Sequence, residues 1–464
     1  MTAKITSLKK KPFWAGLLSV LSLITVVLTL YSTISRVLLW EILHPFLEHN
    51  LNLILNSIFN SDALVRLDFG QINVWVCQFV IVAALILLGI KFRTILTRPF
   101  LLTSLPLVAL LILTGLSYYW SVSPGFTLSR HRLLLAAALG AVLLGLKYQR
   151  TWIRALLEIF AALLVVGSLV MILKYPIYST MQDFRGFTQW NGIFSWKMPA
   201  ATLMGFAVVV FLFRLLDFKK DKWVTRIYGL VFYGLALWLL VKSYSATEQI
   251  AVAAVHLVVL LGILYLKWGH RLKPVHWWTL GGLALAVILA AWFGRDFLFG
   301  LVGREVTFTG RLPLWSSLGP AIQDRLWFGY GFGDAFWKNL DYYQPIWDLF
   351  AWSPVFAHSG YVEALIDNGL VGLALWVVFL LQTAFLSLRY FVRQHEIPAL
   401  IFFAWFIFVA VMSIGNNHLG SYETFTWFLL VLALAVPLRE LLDRRSSPAV
   451  EPQKVAGKKA SKKR

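Results

Sequence analysis

Apolar runs separated by short polar segments fill most of the chain. A bilayer core takes about 20 apolar residues per helix. Runs near that length recur at 13–33, 71–90, 99–117, 132–146, 153–173, 199–216, 227–242, 248–266, 276–294, 364–388, 398–414 and 424–438. The pattern predicts an all-α integral membrane protein with about 12 transmembrane helices. The stretch 37–60 mixes Glu41, His44, Glu48 and His49 into its apolar residues, so it reads as an interfacial amphipathic helix. Four regions follow: spans one to nine in 1–294, a long outward loop in 295–363, spans ten to twelve in 364–438, and a basic tail in 439–464. Within the loop, Leu312, Trp315, Leu318, Ile322 and Leu326 recur at helical spacing, which predicts a short amphipathic helix near the interface.

Composition agrees with this pattern. Of 464 residues, 59% are hydrophobic and 14% charged, against roughly 45–50% and 25% in soluble domains. So few charges cannot cover a soluble surface, and so many apolar residues exclude disorder. Cys77 is the single cysteine, which excludes a disulfide framework and a thiolate metal site; inside an apolar run it reads as a small buried hydrophobe.

The net charge of +20 would suggest nucleic acid in a soluble protein. Here its placement decides otherwise. With the N-terminus inside, 29 of the 42 Lys and Arg fall in cytoplasmic segments, as the positive-inside rule requires. Both termini are then cytoplasmic, the expected partners are membrane lipids, and nucleic acid is not among them. Lys9, Lys10 and Lys11 precede an apolar run with no A-x-A-like site, so the first helix reads as retained.

The remaining 13 cations change the picture further. Arg36, Arg66, Arg130 and Arg132 lie near span ends, where snorkelling to headgroups accounts for them. Lys174, Arg185, Lys197, Lys242, Arg295, Arg304, Arg311, Arg325 and Lys338 fall in several outward loops. Outward cations run against the positive-inside rule, and an anionic ligand near the outer interface is the simplest reason for them. Arginine suits phosphate because its planar fork donates two hydrogen bonds at once. No nucleotide-binding glycine motif is present; FGYGFGDAF follows no strand and reads as a tight turn.

No metal or other cofactor is expected. The nine histidines are scattered without an H-E-x-x-H spacing. The outward acids Glu305, Asp324, Asp334, Asp341, Asp348, Glu363 and Asp367 form no D-x-D pair. His358 lies where the long loop re-enters the membrane. Its imidazole, with an ordinary pKa of about 6.5, accepts protons at neutral pH. Were a helix to start near Ser359, Glu363 or Asp367 would orient the ring. Trp315, Trp337, Trp347 and Trp352 read either as sugar-stacking residues or as interfacial anchors, the second being favoured.

These segments together resemble a known family. TFTGRLPLWSSLGPAIQDRLWFGYGFGDAFW followed by AHSGYVEALIDNGLVGL is similar to the shared motif of the O-antigen ligase and polysaccharide-polymerase superfamily: TGR-x-x-x-W, a GYG turn, then a histidine leading to spaced glycines. GREVTFTGR, LSYYWSVSPGFTLSR, RGFTQWNGIFSWKMPAA and VKSYSATEQ look like motifs of the exopolysaccharide-production branch, in the same order over about 115–375. The resemblance implies a C-type membrane glycosyltransferase. Such a protein moves a glycan from undecaprenyl pyrophosphate to a sugar hydroxyl, without metal and with inversion, on the outer face of the bacterial cytoplasmic membrane. It implies catalytic roles for His358, the base, and for Arg311, which holds the pyrophosphate. Arg185, Lys197, Lys242 and Arg304 are the further candidate pyrophosphate ligands.

Three positions depart from the family pattern. Ser359 stands where Asn is usual, Ala246 stands where a second arginine is usual, and only Lys197 matches in the H-K-N motif. Lys242 and Arg185 are candidate substitutes for the missing arginine. Ligation to a lipid core and chain polymerisation differ only in the acceptor, and the resemblance fits both. A transporter or flippase of lipid-linked glycans is the alternative class. It should place paired charges at mid-membrane, whereas Glu158 and Glu248 lie close to the ends of their spans.

Overall fold

In hydrocarbon, a single segment satisfies its own backbone groups only as an α-helix. The computed structural model folds the apolar runs in that way. It describes residues 13–34, 69–90, 98–182, 186–194, 196–217, 223–269, 310–350, 353–419 and 424–446. The bundle contains α1 (Phe13–Ile34), α2 (Phe69–Ile90), α3 (Arg98–Leu116), α4 (Pro124–Lys147), α5 (Arg150–Lys174), α6 (Lys197–Leu216), α7 (Trp223–Lys242) and α8 (Ala246–Trp268). After a break come the short helices α9 (Arg311–Ser317), α10 (Gly319–Asp324) and α11 (Leu340–Trp347). The long α12 (Gly360–Gln394), α13 (Ile401–Gly415) and α14 (Thr424–Ser446) complete the chain. Between α5 and α6 lies one antiparallel hairpin, β1 (Thr180–Gln182) and β2 (Thr188–Trp190), which pairs Thr180 with Trp190.

The fold is that of an all-α integral membrane protein. Among the described residues, eight helices are long and apolar enough to cross a bilayer. Eleven of the 12 predicted runs coincide with helices. The ninth run, 276–294, and the amphipathic stretch 37–60 lie outside the described residues. α14 continues to Ser446, into the segment read as the basic tail. Arg439 Nη1 donates to the carbonyls of Gly145 (2.7 Å) and Tyr148 (2.5 Å) at the end of α4.

Central helices are those buried all round. Between Phe425 and Leu442, 83% of α14 is buried, and 78% of α6, against 22% of α7. Small residues allow the close approach: a Cβ added at Gly145 would lie 2.8 Å from Ala435 Cβ. Cys77 is buried in a small apolar cluster with Val80, Leu133 and Ala136.

Helices alternate in direction, so the bundle has two distinct ends. At one end α4, α6, α8 and α12 begin and α5, α7 and α13 finish. A second apolar core lies there, formed by Leu314, Leu318, Tyr330, Phe336, Trp337 and Phe356. Burying each such large side chain contributes about 1.5–3 kcal/mol, enough to fix a loop that contains little regular structure. The predicted amphipathic helix exists in two pieces, α9 and α10, which meet at Leu318 just before Pro320. Leu314 and Leu318 face this core, while Leu312 stays exposed.

FGYGFGDAF is more than a tight turn. Gly329, Gly331 and Gly333 have φ of 66°, 109° and 87°, a region where only glycine is unstrained. Their strip lies against a break in α12, where Gly369 is non-helical at φ 64° and ψ −164°. The N–H groups of Tyr330 and Gly331 donate to the carbonyls of Ile366 and Asp367, both at 2.9 Å. Those of Leu370 and Val371 donate to Leu326 (2.8 Å) and Trp327 (3.2 Å). A Cβ at Gly369 would lie 2.2 Å from the Trp327 carbonyl carbon, so only glycine fits this crossing.

Candidate active site

At this end of the bundle the turn before α12 carries His358. Ser359 is the N-cap and Gly360 the first helical residue, as the sequence suggests. His358 itself has φ 52°, a left-handed conformation uncommon for a side chain of this size. Its neighbours impose that strain. The Ala357 N–H donates to Glu363 Oε2 at 2.5 Å, and the Ala357 carbonyl accepts from Trp315 Nε1 at 2.7 Å. The Gly360 N–H donates to the Asn416 carbonyl at 2.9 Å. Clamped on both sides, the half-buried ring packs on Phe356 with centroids 4.2 Å apart.

Glu363 and Asp367 do not orient the imidazole. Glu363 holds the Ala357 backbone and accepts from Trp337 Nε1 at 2.8 Å. Asp367 accepts from the N–H groups of Gly333 (2.9 Å) and Asp334 (3.4 Å). One turn apart on α12, these acids fix the two loops around the histidine. Trp337 is buried, and the Trp315 and Trp347 indoles donate to the carbonyls of Ala357 and Pro354. These three tryptophans are bound into the loop itself, which explains them better than either expected role. Trp352 lies outside the described residues.

Two cations belong to the histidine. Arg311 opens α9 directly after Gly310, whose φ of 83° turns the chain into the helix. Its Nη2 donates to Asn416 Oδ1 at 3.4 Å. A Cβ at Gly415 would lie 2.8 Å from Arg311 Nη1 and 2.8 Å from Thr247 Oγ1. The guanidinium therefore enters between the end of α13 and the first turn of α8, through space that glycine leaves open. Lys197 is the first residue of α6. Burial first, then the charges of Arg311 and Lys197, push the His358 pKa from 6.5 down to about 3. The imidazole is thus neutral at physiological pH. Among the described residues no group of three His, Cys, Asp or Glu side chains is arranged to hold a metal ion.

Other predicted cations are bound into the structure elsewhere. Lys242 lies over the Trp190 ring at 5.6 Å. Arg325 donates to the Trp120 carbonyl (3.3 Å) and Tyr342 Oη (3.1 Å) and covers the Tyr330 ring. Lys338 lies over Phe126 at 5.2 Å. Arg130 does not snorkel: α4 starts at Pro124, which turns Arg130 inward, where it pairs with buried Asp334 at 3.5 Å. Arg185 and Arg304 lie outside the described residues. The fold thus brings together His358, Arg311 and Lys197 and directs Lys242 to the hairpin.

Sequence reasoning places Glu248 near a span end but does not link it to Asn416, His418 or Arg311. Asn416 Nδ2 donates to Glu248 Oε1 at 2.6 Å, and His418 Nε2 lies 3.5 Å from the same oxygen. Ser245 Oγ donates to Glu248 Oε2. Ser245-Ala246-Thr247-Glu248 fits the S-x-x-E pattern of a helix start, and that signal points to Glu248.

Residues 233–377 match the O-antigen ligase family. Over these residues the chain is similar to the O-antigen ligase family. The match contains Glu248, Arg311 and His358. The chain is also similar to the exopolysaccharide production protein ExoQ of Rhizobium meliloti (strain 1021), with 26% identity over 205 residues. That alignment covers 40% of this chain and 46% of ExoQ, so the chain spans about half the length of the relative it matches. Both likenesses agree with the resemblance to the exopolysaccharide-production motifs.

Proposed function

We propose that this protein transfers a glycan from a polyprenyl pyrophosphate, undecaprenyl pyrophosphate by resemblance to the family, to a sugar hydroxyl. The reading puts the site on the outer face of the cytoplasmic membrane and both termini inside. One observation carries it: a neutral imidazole, held in a strained turn, shares its surroundings with a guanidinium and an ammonium. A glycosyl pyrophosphate is already activated. What remains is to disperse charge on the departing pyrophosphate and to take a proton from a weak nucleophile.

Arg311 and Lys197 do the first. Fixed cations aimed at developing charge contribute about 10²–10³-fold per donor by analogy with oxyanion holes. His358 does the second. The acceptor oxygen attacks the anomeric carbon as the bond to the pyrophosphate oxygen breaks, and the imidazole takes the hydroxyl proton. The two cations that depress the histidine's pKa are the pyrophosphate's own ligands. Burial is the larger cause of the low pKa, and a bound pyrophosphate would offset only the smaller part that the two cations contribute. In this reading the step needs no metal and inverts the anomeric centre.

The test is direct. Purified protein in nanodiscs is incubated with an undecaprenyl-pyrophosphate-linked oligosaccharide and candidate acceptors, and products are identified by mass. His358→Ala is expected to lower transfer by about 10²–10⁴-fold with an unchanged thermal midpoint. Transfer within a few-fold of wild type would remove His358 from the base role.

A further inference from the structure

Asn416 is buried at 1% exposure and joins three groups that the preceding reading uses or ignores. Its Oδ1 accepts from Arg311 Nη2 at 3.4 Å, its Nδ2 donates to Glu248 Oε1 at 2.6 Å, and its carbonyl accepts the Gly360 N–H at 2.9 Å. Only one amide orientation serves a guanidinium on one side and a carboxylate on the other: oxygen towards the cation, nitrogen towards the anion. A cationic donor and an anionic acceptor are thus bridged by a neutral amide. Glu248 is fully buried on the first turn of α8, the same turn that supplies Thr247 beside Arg311.

The alternative arrangement is a direct Arg311–Glu248 pair. Such a pair would form a fork-to-carboxylate contact and would occupy the donors that a pyrophosphate needs. We propose that Asn416 is a positioning residue: a neutral spacer that holds Arg311 beside His358 and keeps it from collapsing onto Glu248. The inference rests on Arg311 being a pyrophosphate ligand. Through its carbonyl the same residue is tied to the turn after His358, so the guanidinium and the imidazole share one reference point. Gly415 immediately before it leaves room for the guanidinium to lie there.

A spacer and a merely structural residue respond differently to removal of the charge behind it. The measurement is affinity for undecaprenyl pyrophosphate, the leaving group itself, by full-length protein in nanodiscs, alongside transfer. Asn416→Ala should weaken binding about tenfold or more, the scale of a lost hydrogen bond to a charged group. Adding Glu248→Gln to Asn416→Ala should recover at least about threefold, because a neutral amide no longer captures the arginine. A structural residue would show no recovery, since the second substitution removes a further contact. Binding within about twofold of wild type for Asn416→Ala, or no recovery in the double variant, overturns the inference. Should Asn416→Ala fail to fold, Asn416→Ser carries the same comparison. Arg311→Ala separates this inference from the reading it rests on. Wild-type affinity in Arg311→Ala would remove the arginine as a pyrophosphate ligand and overturn both. Weakened binding there, with no recovery in the double variant, overturns the spacer alone.

Discussion

The two ends of the bundle treat charge in opposite ways. At the end away from His358, arginines meet carboxylates directly. Arg150 pairs with Glu396 at 2.5 Å, Arg154 with Glu158 at 2.6 Å and with Asp217, and Arg439 with Glu440 at 2.6 Å. These pairs are partly open; the Arg150 and Glu396 side chains are 31% and 32% exposed. At the His358 end the acids are buried and meet mostly neutral donors: an indole and a backbone N–H for Glu363, backbone N–H groups for Asp367, and an asparagine amide for Glu248. The buried Arg130–Asp334 pair apart, the acids at the His358 end meet neutral amides, an indole and the His418 ring, whereas those at the other end meet arginines. Cationic groups whose contacts include neutral amides keep a field that an anionic ligand can use, which is what electrostatic preorganisation requires.

Substitutions can break or sharpen that contrast. The largest effect after the loss of His358 should come from Arg311→Ala, with transfer lowered by about 10²–10³-fold. Arg311→Lys should recover only part of it, because a point charge lacks the planar fork. Full recovery by lysine, in the same product assay, would show that charge alone matters. Next is pH. With the free-protein imidazole at about 3, the base is unprotonated throughout the physiological range. The acid limb of kcat/KM, which reports the free protein, should then lie well below the ordinary imidazole value of about 6.5. The sign carries over to stability. Between 6.5 and 3 the unfolded chain binds more protons at this site than the folded one, so stability falls as pH drops through that window. An acid limb near 6.5 in the rate profile would contradict the cause assigned to the shift. The smallest effect belongs to the opposite end. Glu396→Gln removes a partly exposed pair worth about 0–1 kcal/mol, so the thermal midpoint should scarcely move and transfer should stay at wild type. A large loss of transfer there would erase the distinction between the two ends.

Much of this was legible in the chain. Apolar period and length located eleven helices because backbone satisfaction in lipid leaves few alternatives. His358 stands out by its place where the long loop re-enters the membrane, and Arg311 through the resemblance to the TGR motif. The rest depended on contacts distant in sequence. Asn416 lies 105 residues from Arg311 and 168 from Glu248, in a short turn without periodicity. Arg130 looked like a headgroup anchor because its partner Asp334 is far away along the chain. The break in α12 is hidden in an apolar run, although the Asn368-Gly369 dipeptide is a turn signal that could have exposed it. Lys197 and Lys242 are both candidate pyrophosphate ligands by sequence; the fold turns Lys242 to a tryptophan and brings Lys197 near the histidine.

The break at Gly369 also ties the loop to the helix that it interrupts. Four main-chain hydrogen bonds zip the glycine strip to the interrupted helix. Parting them without new partners would leave buried amides and carbonyls unpaired, at roughly a few kcal/mol for each. That seam joins strip and helix into one unit, so a shift of either is expected to carry the other with it.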